Sequence, residues 1–359
     1  MIRSYLKQTM IRTADMLGVD RFFRYINRKK LLVVMYHGVT RTNYTPPVWT
    51  QLPLKSFRNQ MEFLRSHYLP IALQDVTAAI RGERSLPERA VLVTFDDGLS
   101  NNYSCAFPVL QRLGIPATIF LTVGMIGSQK LLWFDELLFL LQKAMTQEII
   151  PELDNPEAEL LFQKRQLWQT YQLTVEGLKR AGAAERAGVM ERLRAEIPLD
   201  HIELLGDFGM LSWPEIRSMQ RSGLIEFGVH TATHRILTEL ADDEWYDEII
   251  APRTTLEKEL KNKVTSFCFP NGRPGSDFSA AHLTALRNSG YSCSFTTENA
   301  LFDCSAGDHM SISRVPAGND GTSDPAYFAL NASGALHLAK EWLHLGSGST
   351  ATTLTGAEP

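Results

Sequence analysis

Cysteine is scarce: four residues in 359, Cys105, Cys268, Cys293 and Cys304. None stands in a C-x-x-C pair, which argues against a thiolate zinc site, and most sit in apolar runs as reduced core cysteines do. Long apolar runs are also missing. No stretch approaches the roughly 18–20 consecutive apolar residues that a spanning helix needs. The N-terminus has no continuous apolar stretch followed by a small-residue cleavage site, so no secretory signal is predicted and the expected location is cytoplasmic. Charge of one sign does not dominate either. The formal net charge is −4, which supplies no global field for wrapping nucleic acid. There is no internal repeat.

What is present is ordinary globular usage, 44% hydrophobic and 21% charged, on a chain long enough for one large α/β domain or two smaller ones. The opening 1–30 is strongly basic, and Tyr5, Met10, Ile11, Met16, Phe22, Phe23 and Ile26 recur at roughly helical intervals among the charges. That pattern fits an amphipathic segment lying on an anionic membrane surface, or a helix packed on its own domain. From Leu31 onward, short β-branched and aromatic runs alternate with longer helical stretches: LLVVMY, VLVTF, ATIFLT, LIEFGV, TSFCF, YSCSF and SISRV. Repeated βα units around a mostly parallel sheet follow. The domain is expected to span 31–345, with a helical insertion at about 128–207 that is too long for one crossover helix. A small, polar tail, 346–359, is predicted to be disordered.

Several runs end in residues able to do chemistry. His37 follows the first, Asp96 the second, His230 the fourth and Pro270 the fifth. Strand C-termini of parallel α/β sheets share one face, so these residues are predicted to converge. Asp96 and Asp97 are adjacent carboxylates leaving an apolar strand, where burial is costly unless a cation or hydrogen bonds compensate. The same pair could instead cap a helix beginning near Asn101 and Tyr103. The stretch HTATH adds His230 and His234, whose imidazoles share a face if the chain turns helical there. One carboxylate and two imidazoles make a ligand set suited to Zn²⁺ with open positions for water and substrate.

TFDDG, HTATH and FCFPNG, in this order, together with GIPATIFL, MLSWPEIRSM and GLIEFGVHT, resemble the polysaccharide deacetylases of NodB-homology type, metal-dependent carbohydrate esterases. The resemblance runs from Leu31 to about Asp320, apart from the insertion. It implies a distorted (β/α) barrel with fewer than eight strands. It further implies a divalent metal, zinc with cobalt or nickel as alternatives, held by Asp97, His230 and His234. Asp96 is then the general base, since an unligated carboxylate beside a metal-activated water can take its proton.

The family's usual acid is a histidine in a Leu-x-His pattern. The patterns here, Leu336–Leu338 and Leu343–Leu345, follow no convincing strand. His37 in VVMYHGVT is the better candidate, because this chain resembles members in which an N-terminal Tyr-His supplies the acid. The resemblance places the oxyanion donor at the backbone N–H of Asn271, where many relatives carry an aromatic residue. It places Arg314 beside Asp96 as its orienting residue, the alternative for Arg314 being a structural salt bridge. Pro270 and Trp133 are candidate substrate contacts, Trp133 as part of a lid or platform on the insertion. The implied activity is removal of an N-acetyl group from an amino sugar of a polysaccharide, glycan, or lipid- or nucleotide-linked precursor; separately, the expected cytoplasmic location and the basic stretch 1–30 suit a precursor at the inner face of the membrane. Alternatives are a deformylase or cyclic-amide hydrolase on the same scaffold, or an inactive carbohydrate-binding relative.

Overall fold

A parallel sheet covered on both faces needs apolar side chains at successive positions, and the apolar runs become its strands. The computed structural model describes residues 2–200 and 204–338. Among these lie β1 (Leu32–Tyr36), β2 (Gly38–Thr40), β3 (Gln51–Pro53), β4 (Leu69–Pro70), β5 (Ala90–Phe95), β6 (Ala117–Leu121), β7 (Ile225–Val229), β8 (Ser266–Cys268), β9 (Cys293–Phe295) and β10 (Val315–Pro316). The main sheet has the order β10-β1-β5-β6-β7-β8-β9, with β4 also paired to β5 and every pairing parallel. The seven strands of this path are the seven predicted runs. β2 and β3 form a separate parallel pair that the sequence did not announce, because three-residue strands such as Gly-Val-Thr carry no readable period.

One short segment closes the curl. The Ile312 N–H donates to the Ser294 carbonyl, and the Ile312 carbonyl accepts from the Thr296 N–H, each at 2.9 Å. Three residues later Val315 pairs with Val34 of β1. The chain thus steps from the β9 edge to the β1 edge, and Arg314 lies within that step. The expected α/β class with a distorted, incomplete barrel is what the molecule has.

Register then sets the level of the site. Tyr36 of β1 is paired with Phe95 of β5, and Leu121 of β6 with Val229 of β7. The next residues, His37, Asp96 and His230, therefore leave their strands on the same rim. Side chains alternate along each strand between two cores. Leu32, Val34, Val91 and Val93 pack with Phe57, Met61, Ile216 and Leu256 of the surrounding helices. Val33, Leu92, Phe120, Cys268 and Phe295 pack together on the other side.

Between β6 and β7 the chain forms helices Trp133–Gln147, Pro156–Gln163, Leu167–Ala181 and Ala183–Glu196. They bury a cluster of their own that includes Leu137, Leu141, Val189 and Leu193. The opening segment forms helices Ile2–Met16 and Val19–Ile26, broken by Gly18 at φ 73°. The four cysteines are free. The tail 346–359 and the pattern Leu343–Leu345 lie outside the described residues.

Candidate active site

The two aspartates part company at a left-handed turn. Asp97 has φ 72°, and the Gly98 N–H closes back on the Asp96 carbonyl at 2.9 Å. This tight turn aims the carboxylates at different partners. Gly98 follows at φ 81°, and a Cβ there would sit 2.6 Å from Leu121 Cδ2, so glycine is required on both counts. Neither carboxylate caps the following helix.

Asp96 faces Arg314. Nη1 and Nη2 of Arg314 donate to the two Asp96 oxygens at 2.7 Å each, and its Nε donates to the Thr296 carbonyl at 2.8 Å. Arg314 is wholly buried and Asp96 nearly so. Burial alone would favour the neutral acid, but the Arg314 guanidinium outweighs it and holds the Asp96 carboxyl below its ordinary value. Asp96 is therefore ionised at neutral pH.

Asp97 faces the two histidines. Its Oδ1 lies 3.4 Å from His230 Nε2 and 3.3 Å from His234 Nε2. Both Asp97 oxygens are buried, and beyond these two long imidazole contacts neither has a hydrogen-bond partner among the described residues. An unsatisfied carboxylate in that position is costly unless a cation completes it. The donor atoms of Asp97, His230 and His234 all lie within 4.8 Å of one another. His230 Nδ1 donates to the Cys268 carbonyl at 2.8 Å, which leaves Nε2, the nitrogen facing Asp97, as the one able to ligate an ion. These residues fit a divalent ion. A second grouping, Asp96, His230 and Cys268, is as tight. It fits an ion poorly, because Asp96 is already engaged by Arg314 and burial pushes the Cys268 thiol up.

The histidines do not share a helix, contrary to the conditional expectation. Residues 231–233 form a turn, with Thr231 at φ 59° and His234 at φ 62°. Buried Glu248 braces this turn: its carboxylate accepts from the N–H groups of Ala232 and Thr233, each at 3.0 Å, and from the Thr233 hydroxyl at 2.6 Å. Gly124 braces the other side, its N–H donating to the Ala232 carbonyl at 2.8 Å. Sequence reasoning missed both residues. No local motif marks either one.

A cleft of about 440 Å³ opens over the pair of histidines. His37, Asp96, His230, His234 and Asn271 line it, together with Trp49 and Phe134. His37 lies half-buried against Trp49, ring centroids 5.0 Å apart, and its carbonyl accepts from Asn102 Nδ2 at 2.6 Å. Burial lowers the His37 pKa, against the opposing pull of Asp97 and Asp96. Asn271, at φ 60°, is the corner of the turn after β8, and its N–H makes no hydrogen bond among the described residues. Its carbonyl accepts from the Thr297 hydroxyl, which fixes the turn.

Two predicted contacts lie elsewhere. Pro270 is buried beneath the turn and does not line the cleft. Trp133 points into the insertion, where Arg186 stacks on its ring at 5.1 Å and pairs with Glu239 at 3.1 Å. It pins the insertion to the barrel side. The next residue, Phe134, is the one that reaches the cleft, its ring 5.2 Å from that of His234. Helical periodicity alone could not say which of two adjacent aromatics faces inward without knowing how the helix is rotated.

The curled parallel sheet thus carries on its C-terminal rim an Asp-His-His group suited to a divalent ion, an adjacent ionised carboxylate and a histidine lining the same cleft. The sequence pattern of the family described as polysaccharide deacetylase matches residues 83–294, which include Asp96, Asp97, His230, His234 and Asn271. The chain belongs to that family. It is 33% identical to a putative polysaccharide deacetylase, YxkH, of Bacillus subtilis over 99 residues, covering 27% of this chain and 34% of the relative. It is 41% identical to the poly-β-1,6-N-acetyl-D-glucosamine N-deacetylase of Escherichia coli K12 over 63 residues, 17% of this chain and 9% of that one. The matches thus span about a third of one relative's length and about a tenth of the other's. Among solved structures, IcaB from Ammonifex degensii has the same fold, with TM-score 0.54 and 22% identity over 85% of this chain and 97% of that one. The Streptococcus pyogenes deacetylase PplD is similar at TM-score 0.54 and 16% identity, over 82% and 95%.

Proposed function

We propose that this protein hydrolyses the N-acetyl group of an amino sugar in a glycan or in a lipid- or nucleotide-linked glycan precursor. The observation that carries the reading is the buried, unpartnered Asp97 carboxylate facing two imidazole nitrogens, with ionised Asp96 next to it in sequence. A divalent ion held by Asp97, His230 and His234 supplies Lewis-acid activation of water and of the acyl oxygen when bound. The nitrogen and oxygen donors favour zinc, with cobalt or nickel as substitutes. Asp96 takes the proton of the attacking water, Arg314 holding its carboxylate in one orientation. The Asn271 N–H donates to the oxygen that gains charge. His37 delivers a proton to the departing amine.

The test is acetate release by the purified full chain from acetylated amino-sugar oligomers, with formylated sugars as the rival substrate. Asp96→Asn should abolish turnover while metal content stays at the wild-type level. Undiminished turnover in that variant overturns the assignment, and protein purified without any divalent ion points to an inactive carbohydrate-binding relative.

The opening helices add a proposal about location. Among the described residues Met10, Met16, Leu17, Phe22, Tyr25 and Ile26 are six of the ten large exposed hydrophobics, and Arg21, Lys29 and Lys30 are exposed beside them, whereas Arg12, Arg24 and Arg28 pair with Asp324, Asp20 and Glu88. Such a face suits peripheral contact with anionic lipid on the cytoplasmic side of the membrane. Among the described residues no helix is long and apolar enough to cross a membrane. Sedimentation with vesicles rich in anionic lipid should be lost in a Phe22→Glu/Tyr25→Glu variant; equal sedimentation rejects the surface.

A further inference from the structure

Beside the catalytic cleft lies a second pocket of about 270 Å³. The two share Trp49, Thr50, Tyr171, Val175 and Lys179, so they form one continuous trough. The helical insertion builds its far wall. Trp168, Tyr171, Gln172, Val175, Glu176 and Lys179 all line the pocket. Their spacing of three and four residues puts them on one stripe of helix Leu167–Ala181. The helix's other buried residues, Thr170, Thr174 and Leu178, are off this stripe. Tyr171 and Val175 of the stripe pack on the insertion's own core, whereas Trp168 and Gln172 belong to no core cluster.

The floor carries an unexplained polar group. Asp135, in the first turn of helix Trp133–Gln147, is 2% exposed and lines the pocket. Among the described residues its Oδ1 meets only the Thr50 hydroxyl, at 3.5 Å, and its Oδ2 is buried with no partner. An orphaned carboxyl oxygen in a walled pocket calls for a hydrogen-bonding ligand. Aromatic faces stand close by: Trp168 and Tyr171 stack with centroids 5.3 Å apart, and Trp49 sits at the junction with the cleft. A pyranose ring offers the matching surface, an apolar C–H face bounded by hydroxyls. The charges match a neutral guest. Lys179, the pocket's only cation among its lining residues, is paired with Glu176 at 3.3 Å. Within this pocket no unpaired cation is left to hold a phosphate; exposed Arg273 lines the adjoining cleft instead.

We infer that this insertion-built pocket is a subsite for the uncharged sugar unit adjacent to the one whose acyl group is cleaved, with Trp168 as platform and Asp135 and Gln172 as hydroxyl partners. The inference rests on the deacetylase reading and sharpens it: the substrate is at least a disaccharide, and the neighbouring unit is a sugar and not a nucleotide diphosphate. Burial pushes the Asp135 carboxyl well above its ordinary value, in keeping with a hydroxyl partner there.

The experiment compares kcat/KM for acetate release from a mono-, di- and tri-saccharide of N-acetylglucosamine and from its nucleotide-diphosphate form, alongside calorimetric binding of the trisaccharide to the full chain. The trisaccharide should exceed the monosaccharide at least tenfold, and Trp168→Ala should reduce that ratio at least tenfold. Gln172, which is exposed, gives a variant that keeps the fold, and Gln172→Ala should move the ratio in the same direction. A ratio near one, a preference for the nucleotide-linked sugar, or unaltered ratios in both variants overturns the subsite while leaving the deacetylase reading intact. Failure to release acetate from any sugar rejects the deacetylase reading. The binding arm then decides the pocket: trisaccharide affinity weakened tenfold in both variants supports it, and affinity equal to wild type overturns it.

Discussion

Arg314 and Asp96, 218 residues apart, form a buried two-point ion pair, both contacts at 2.7 Å, with only the Asp96 side reaching the cleft. The arginine lies in the segment that joins the β9 edge to the β1 edge, so the contact that closes the barrel also orients the proposed base. Breaking it leaves an uncompensated buried carboxylate. Arg314→Met should destabilise the fold by about 3–5 kcal/mol, read by denaturant titration. Arg314→Lys retains charge without the planar fork and should lose activity along with part of the stability. A lysine variant matching wild type in both measurements would show that orientation is set elsewhere.

The same pair predicts an acid limb. Asp96 has a folded-state pKa below its unfolded value, so the unfolded chain takes up the proton first as the pH falls. The stabilisation is complete above the ordinary carboxylate pKa of about 3.9 and is lost as the pH drops through the folded value. Asp96→Asn lowers stability at neutral pH but removes this component, so the gap to wild type should narrow toward pH 3. Melting temperatures measured from pH 7 to pH 3 that stay parallel contradict the pairing.

His37 faces Asp96 and His230 across the cleft. An acid that protonates a leaving amine matters for an amide and little for an ester with a good leaving group. His37→Ala should cut amide hydrolysis by about 10²–10⁴-fold and hydrolysis of an activated acetyl ester far less. Equal losses on the two substrates argue for a packing role against Trp49.

The proposed metal site rests on Asp97 as much as on the imidazoles. Zinc at one hundred times its dissociation constant should stabilise the wild type by about 2.7 kcal/mol, and Asp97→Ala should abolish that gain. Metal analysis of both proteins after dialysis checks it independently. A variant that still carries one ion per chain removes Asp97 from the ligand set.

The turn bearing His234 is held from outside the motif. Glu248→Ala removes three hydrogen bonds, and Gly124→Ala places a Cβ 2.8 Å from the Ala232 carbonyl. Each should weaken metal affinity about 10–100-fold, as loss of supporting groups does. Zinc titration with a competing chelator measures this. Affinity within twofold of wild type in both would make the turn self-supporting.

The linear chain was sufficient for the seven strands of the closed path and for the convergence of His37, Asp96 and His230. Buried parallel strands are continuous apolar runs, and the residue after each run emerges on one rim whatever the loops do. It was also sufficient for the family, because TFDDG, HTATH and FCFPNG are local strings. Tertiary structure decided what local strings cannot carry. The left-handed backbone at Asp97, His234 and Asn271 is unfavourable for these residues in isolation and persists only under contacts such as those from Glu248 and Thr297. The rotation of helix Trp133–Gln147 turned Phe134 and Asp135 toward the trough and Trp133 away from it. Pairing over long sequence separation, as between Asp96 and Arg314, depends on strand order, and strand order is settled only when the whole sheet closes.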